Sequence, residues 1–107
     1  MTTIDPDQKI CTLINVFTVD PEKNEELFEL LKTATEEVIS KQPGYISANL
    51  HISDDKKTIT NYAQWRSLED FHNMIKHPAA LIHMVKAAAM AKDFKPVTYG
   101  EIWSHHV

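Results

Sequence analysis

Hydrophobic residues alternate with polar ones, or recur every three to four positions, along most of the chain, and these two periods predict its elements. Residues 10–19 are apolar and β-branched on both sides of the alternation, which is typical of a buried strand. Asp20 and Pro21 then form a helix start, with a capping carboxylate before a proline at the first helical position. Apolar residues recur at helical spacing from there, which predicts a helix to about Lys41.

The middle of the chain has the pattern of a β-hairpin. Residues 45–53 alternate strictly, which predicts a strand with Ile46 on the side facing the helices and Tyr45 and His51 on the opposite side. A polar turn leads into a third strand over residues 58–65, which also alternates. The two strands are therefore expected to pair antiparallel.

The last third of the chain predicts two helical segments and a strand. Ser67 caps a short helix to about Lys76, Pro78 breaks it, and a helix rich in alanine and methionine follows to about Lys92. Residues 97–105 read as the last strand. The order β-α-β-β-α-β predicts an α+β, ferredoxin-like fold, a four-stranded antiparallel sheet with its helices on one face.

Length and composition bound what such a chain does. With 107 residues it forms one domain, expected at residues 10–107 behind a flexible polar lead-in at residues 1–9. Eleven basic and fifteen acidic residues give a net charge of -4 without a basic stripe, which argues against nucleic acid. Two distant glycines cannot build a phosphate-cradling loop. A single cysteine, no apolar leader and no stretch of about 20 apolar residues predict a cytoplasmic protein without a membrane span.

The sheet face opposite the helices predicts self-association. It is expected to carry Tyr45, His51 and Tyr62 together with several threonines. Such a surface is too aromatic to stay fully solvated and too polar for an ordinary core. A second copy packed sheet against sheet would cover it, so we expect a homodimer.

Polar side chains within apolar strand faces are the first candidates for a site. Asn61 lies between Ile59 and Ala63, and Asn15 repeats the pattern on the first strand. A buried amide without partners costs about 1–3 kcal/mol, so each should be hydrogen-bonded to its surroundings or line a cavity. Trp65 shares the face of Asn61 and is expected to aim its N–H into the same cleft. The alternative is purely structural, with amides bound to nearby backbone and an indole in the core.

Six histidines raise the question of a metal, but their spacing forms no HExxH motif and no Cys/His cluster, so no metal site is expected. His83 lies in an apolar run and is expected to project into the cleft, as a proton acceptor or as a heme ligand. Its alternative is a core or surface histidine. Phe71 and Met74, with other methionines and Phe94, suit the lining of a flat ring system or ordinary helix packing.

These features together resemble the antibiotic biosynthesis monooxygenase domain, a dimeric α+β barrel of about this length. The resemblance spans about residues 10–103, and its most specific element is the phrase Asn61-Tyr62-Ala63-Gln64-Trp65 followed by Ser67. Pro43-Gly44-Tyr45 and Asp20-Pro21 support it.

The resemblance implies oxygenation of a small aromatic, quinol or anthrone-type substrate by dioxygen, without flavin, heme or metal. Asn61 and Trp65 would then donate N–H groups to the developing oxyanion, and Asn15, Phe71, Met74 and His83 would contact the substrate. Some members place a tyrosine at the position of Phe71 and an arginine near residue 85. Both are missing here, so a smaller quinol is as good a candidate as a polyketide.

Two alternatives accompany this interpretation. The heme-degrading branch of the same superfamily uses an asparagine on the first strand, a tryptophan on the second helix and a later histidine. Asn15 matches the first position and His83 falls within about one residue of the last, but Met74 stands at the tryptophan position, which favours heme binding over heme degradation. The other alternative is a dimeric small-ligand-binding protein without catalytic activity, because a fold reused this widely does not determine function.

Overall fold

The structure is a computed structural model that describes residues Met1–Val107. Four antiparallel strands form one sheet in the order β2-β3-β1-β4. They are β1 (Cys11–Thr18), β2 (Tyr45–Ile52), β3 (Thr58–Trp65) and β4 (Asp93–Tyr99). Three helices connect them: α1 (Asn24–Glu37), α2 (Leu68–Ile75) and α3 (Pro78–Met90), with short 3-10 turns at Pro21–Lys23 and Ile39–Lys41. The predicted ferredoxin-like α+β fold is confirmed.

The register of the sheet determines which side chains face the helices. Asn15 lies directly opposite Asn61, and Leu13 lies opposite Ala63 on the same face. The core is divided into two groups on this face, one around Leu13 and Trp65 and one around Leu27 and Ile59. The odd-numbered residues of β1 and β3 therefore form the inner layer of the domain.

The junction from β3 to α2 is organised by the N-cap residue Ser67. The Ser67 hydroxyl accepts a hydrogen bond from the Asp70 backbone N–H at 3.1 Å and donates one to the Asp70 carboxylate at 2.9 Å. The Arg66 guanidinium contacts the same carboxylate at 2.8 and 3.0 Å. Hydrogen bonds from Arg66, and then from Ser67, hold the pKa of Asp70 below its ordinary value. Sequence spacing alone predicted this cap, because its contacts are local.

Two strand predictions were wrong in detail. A bulge between Tyr45 and Ser47 places Tyr45 opposite Trp65, on the helix-facing side, and leaves Ile46 42% exposed. The prediction had these two residues on the opposite sides. The last strand runs over Asp93–Tyr99 rather than 97–105, because β4 is an edge strand and tolerates Pro96 in its middle.

The first helix is also shorter than predicted. It ends at Glu37, and Val38, with φ −125° and ψ −59°, departs from helical geometry before the turn at Ile39–Lys41. Val38 and Ile39 continue the three- and four-residue spacing of the apolar positions into this turn, and for that reason the pattern did not reveal the break. The extra turn packs Val38 and Ile39 against the core group around Trp65.

The segment expected to be a flexible lead-in contacts the open face of the sheet. Asn49 Nδ2 donates to Thr2 Oγ1 at 2.7 Å, and Gln64 Nε2 donates to the Thr3 carbonyl at 2.8 Å. The second of these bonds satisfies the amide of Gln64, a residue that is 2% exposed. No helix of the chain has the length and apolarity that a bilayer crossing requires.

Candidate functional site

A largely apolar cavity of about 370 Å³ lies between the sheet and the three helices. Strands β1, β3 and β4 supply its floor, and α1, α2 and α3 supply its walls and roof. Small side chains keep it open: Ala34 on α1, and Ala87 and Ala88 on α3, all border it. The cavity is of the size that small-molecule sites in proteins have.

Two opposed amides form the polar part of the floor. Asn15 and Asn61 are directly paired between β1 and β3, and both line the cavity. The Oδ1 atom of each is buried and has no hydrogen-bond partner in the chain. Because a buried polar group without a partner costs about 1–3 kcal/mol, a pair of such groups at one place needs an explanation beyond packing.

A third unpartnered atom comes from the roof. His83 on α3 lines the cavity, and its Nδ1 is buried without a hydrogen-bond partner. Only four side-chain atoms in the chain are buried and unpartnered, and three of them belong to this cavity. The fourth, Thr12 Oγ1, belongs to a residue whose strand position is on the other face of the sheet. The unsatisfied polarity of the domain is therefore concentrated here.

Aromatic and thioether side chains supply the apolar walls. Phe71 and Met74 on α2 and Met84 on α3 border the cavity, and Phe94 on β4 borders it from the floor. The Phe94 ring packs against Phe17 with their centroids 6.3 Å apart. Flat rings and flexible methionines are suited to enclosing a planar ligand.

Trp65 is not among the residues that line the cavity. Its indole is 1% exposed and packs edge-on against Tyr45 and Phe71, with centroids 5.6 and 6.2 Å apart. The prediction that its N–H points into the cavity needs correcting for this reason. Trp65 packs against Phe71, which borders the cavity, and the bulge in β2 places Tyr45 on the other contact of the indole.

The other predicted site residues come together. Asn15, Asn61, Phe71, Met74 and His83 all border the one cavity, although they lie on four different elements. Sequence reasoning missed His72 on α2 and the β4 residues Pro96 and Thr98. The alternation of Phe94, Pro96 and Thr98 carried the signal for β4, but the proline concealed it.

The lining contains no charged side chain. No aspartate, glutamate, lysine or arginine borders the cavity, and His72 and His83 are its only titratable residues. The structure also has no group of three or more His, Cys, Asp or Glu side chains arranged to hold a metal ion. Such an arrangement can bind an uncharged planar molecule, hydrogen-bond it at one edge and exchange a proton with it.

A heme fits this lining poorly. A cavity of 150 Å³ accommodates one benzene ring, so 370 Å³ is too small for a macrocycle of four pyrroles with its substituents. The propionates of a heme also require cationic or other strong donors, and no lysine or arginine borders the cavity. Only the imidazoles of His72 and His83 would remain to hold the iron, so the lining does not fit a heme.

Comparison with known proteins gives a consistent result. The family model described as antibiotic biosynthesis monooxygenase matches residues 10–82. Tetracenomycin-F1 monooxygenase of Streptomyces glaucescens is 41% identical over 97 residues, which cover 91% of this chain and 86% of that protein.

Solved structures agree with this match. A monooxygenase from the gene ActVA-Orf6 of Streptomyces coelicolor, solved with nanaomycin D, superimposes with a TM-score of 0.82 at 25% identity and covers 96% of each chain. SnoaB, a cofactor-independent oxygenase from Streptomyces nogalater, superimposes with a TM-score of 0.73 at 20% identity over 90% of this chain and 96% of that one. At 20% identity, the similarity to SnoaB shows a shared fold only.

Proposed function

The chain belongs to the antibiotic biosynthesis monooxygenase family, and on that premise we propose that it oxidises a small uncharged aromatic substrate, of the quinol or anthrone type, with dioxygen and without a prosthetic group. The observation that carries the proposal is the convergence of three unpartnered polar atoms on one apolar cavity. The relative that is 41% identical acts on tetracenomycin F1 by its name, which supports the monooxygenase activity.

The size and charge of the cavity suggest the substrate class. A 150 Å³ apolar cavity holds one benzene ring, so about 370 Å³ accommodates two or three fused rings. Without a lysine or arginine in the lining, a carboxylate or phosphate would lose its hydration and find no counter-ion. We therefore expect an uncharged fused-ring phenol or anthrone.

The two floor amides suit the stabilisation of an oxyanion. An asparagine side chain has two N–H donors and one acceptor, and its oxygen and nitrogen exchange places when the amide is rotated. Asn15 and Asn61 are opposed in register and can therefore both direct N–H groups at one substrate oxygen. A donor held in place at a developing oxyanion contributes about 100- to 1000-fold in rate.

The remaining chemistry belongs to the substrate and dioxygen. Once an anthrone is deprotonated, its charge is delocalised over the fused rings, and the anion can pass an electron to dioxygen. The methylene carbon then loses two hydrogens and gains one oxygen atom, and the second oxygen atom leaves as water. The protein has to bind, orient and deprotonate the substrate and to exclude bulk water.

Trp65 fits this scheme as a positioning residue. Its edge-on contact with Phe71 restrains a ring that borders the cavity, with the centroids 6.2 Å apart. Trp65→Phe should therefore weaken substrate binding modestly, with an effect on KM rather than on kcat. A loss in kcat with an unchanged KM would instead support the donor role predicted from the sequence.

Oxygen uptake tests the main proposal. Wild-type protein is given a panel of quinols and anthrones, with and without a carboxylate, and is compared with Asn61→Ala. Asn49→Ala is the matched control, because Asn49 is an asparagine of the same sheet outside the cavity. We expect uptake with uncharged substrates and at least a 100-fold loss for Asn61→Ala only. Tight binding of an anthrone without any uptake would identify a non-catalytic binding protein instead.

We also propose that the protein is a homodimer whose sheets pack face to face into an α+β barrel. The register places Tyr62, Ile14 and Val97 side by side across the open face. Val97 is 36% exposed there, and nearby Val16 and Tyr99 are 36% and 43% exposed. An apolar row of this kind on a sheet face is typical of a protein interface.

Sedimentation tests the dimer with two matched valines. Val97→Glu places a charge on the open face of the sheet, and Val85→Glu places one on α3, where Val85 is 61% exposed. We expect wild type and Val85→Glu to sediment as dimers at micromolar concentration and Val97→Glu to dissociate. A monomeric wild type would refute the dimer, and equal dissociation of both variants would place the interface elsewhere.

A further inference from the structure

Deprotonation of the substrate requires a proton acceptor, and the lining of the cavity restricts the choice. None of the strand residues that form the floor has an ionisable side chain. Leu31 and Ala34 from α1, and Ile39 from the turn that follows it, have none either. Only His72 from α2 and His83 from α3 remain, and no cysteine, tyrosine or carboxylate borders the cavity.

The two histidines differ in how they meet the cavity. His72 is an exposed residue at its edge. His83 is half-buried, and its Nδ1 has neither solvent nor a protein partner. An imidazole that borders the cavity and has no hydrogen-bond partner in the chain can exchange a proton with a bound ligand.

From this geometry we infer that His83 is the catalytic base that accepts the proton of the bound substrate and later returns it. The inference rests on the proposed function, because it assigns the proton acceptor of that reaction. His83 belongs to the roof, and Asn15 and Asn61 belong to the floor. In this proposal a planar substrate lies between them, with its oxygen at the amides and its acidic bond toward the imidazole.

With an anthrone as substrate, the reaction begins with transfer of a methylene proton to His83. The C–H bond breaks, its electron pair stays on the ring system, and the proton forms an N–H bond on His83. Dioxygen takes up the electrons and forms a C–O bond, and the imidazolium returns its proton to the peroxide oxygen. Loss of the second methylene proton then breaks the O–O bond, which leaves a carbonyl on the substrate and one molecule of water.

Hydrogen–deuterium exchange separates proton transfer from oxidation. Anthrone in D2O is incubated with the protein under anaerobic conditions, and exchange at its methylene group is followed by NMR. Wild type should accelerate the exchange. His83→Gln should reduce the acceleration at least 100-fold, because a glutamine amide keeps a polar group at this position but is not a base. His105→Gln, in the exposed C-terminal segment, is the matched control and should exchange as wild type.

Three further measurements keep the test decisive. Binding of the oxidised product, which has no acidic proton to lose, should be unchanged within about threefold in His83→Gln and shows that the variant is folded. Added imidazole should restore part of the exchange to His83→Ala. Loss of exchange in His72→Gln with full exchange in His83→Gln would overturn the inference.

The outcomes distinguish a failure of the proposed oxygenase activity from a failure of His83 as its base. Exchange by the wild type that His83→Gln loses, without oxygen uptake by the wild type, refutes the oxygenase and leaves His83 as a proton acceptor. Oxygen uptake with undiminished exchange in His83→Gln refutes the role of His83 and leaves the oxygenase. Wild-type exchange at the rate of the protein-free solution also overturns the inference.

Discussion

Replacing Asn61 by leucine should make the protein more stable and less active. The Asn61 amide faces a cavity, and its Oδ1 is buried without a partner. The unpartnered oxygen lowers the free energy of unfolding by about 1–3 kcal/mol. Leucine has a similar shape and no polar atom, so it avoids this loss. Since the cavity of about 370 Å³ lies beside the side chain, the slightly larger residue does not overpack the core.

Asn61→Leu is expected to raise the free energy of unfolding by about 2 kcal/mol, which corresponds to an increase of roughly 8 °C in Tm for a domain of this size. Asn49→Leu is the matched control on β2. Asn49 Nδ2 donates to Thr2 Oγ1 at 2.7 Å and to the Tyr62 carbonyl at 3.1 Å. Each such bond contributes about 1 kcal/mol, so the control should lose about 1–2 kcal/mol. The same substitution is thus expected to have opposite signs at the two positions.

Urea unfolding at one fixed protein concentration measures both changes. Tryptophan fluorescence reports the transition, because Trp65 is 1% exposed in the folded state and Trp103 is already 85% exposed. Oxygen uptake by Asn61→Leu should fall at least 100-fold in the same preparation. If Asn61→Leu destabilises the protein as much as Asn49→Leu, the Asn61 amide is satisfied in the folded state, and the argument for a site built on unpartnered amides is wrong.

Three other outcomes follow from the structure. Ala88→Phe places a ring in the cavity and should raise KM about 30-fold, which corresponds to about 2 kcal/mol of lost burial of a substrate ring. Ala89→Phe, on the exposed side of α3, should leave KM unchanged, and equal KM values for the two variants would exclude this cavity as the substrate site. Asp70→Asn should lower the free energy of unfolding at pH 7, and the loss should become smaller as the pH falls below 3.8, because guanidinium and hydroxyl partners lower the folded-state pKa of Asp70. Urea midpoints of wild type and variant at pH 7 and pH 3 measure the loss, and an equal loss at both pH values would contradict the prediction. Gly44→Ala should lower the free energy of unfolding by more than about 2 kcal/mol, because Gly44 has φ +86° and a methyl group there would overlap the Asp70 carboxyl. Gly100 lies in open space, so Gly100→Ala should leave the urea midpoint unchanged.

Features set by neighbours in the chain could be predicted from the sequence. The alternation of β3 identified its inward face, and with it Asn61 as a polar residue in an apolar row. Ser67 and Pro78 marked the starts of α2 and α3, because capping and proline geometry act within one turn. The phrase from Asn61 to Trp65 and the family that it indicated are confirmed by the match over residues 10–82.

Sequence periodicity could not detect the bulge at Tyr45 or the strand containing Pro96. A bulge inserts one residue without changing composition, and it reverses which side chains face the helices. Trp65 was placed in the cavity by the prediction and lies in the core because Tyr45 turned inward beside it. Likewise, only its edge position in the sheet allows β4 to include a proline.

By itself, then, the sequence determined the order of the elements, the inward faces of β1 and β3 and the residue types available for chemistry, because each of these depends on spacings of a few residues. Only the tertiary structure decided that Asn15, Asn61 and His83 share one cavity. Their meeting depends on the β1–β3 register and on small alanines between α3 and the sheet, which leave space instead of contact. Neither can be read from the chain, since both are properties of how distant segments pack.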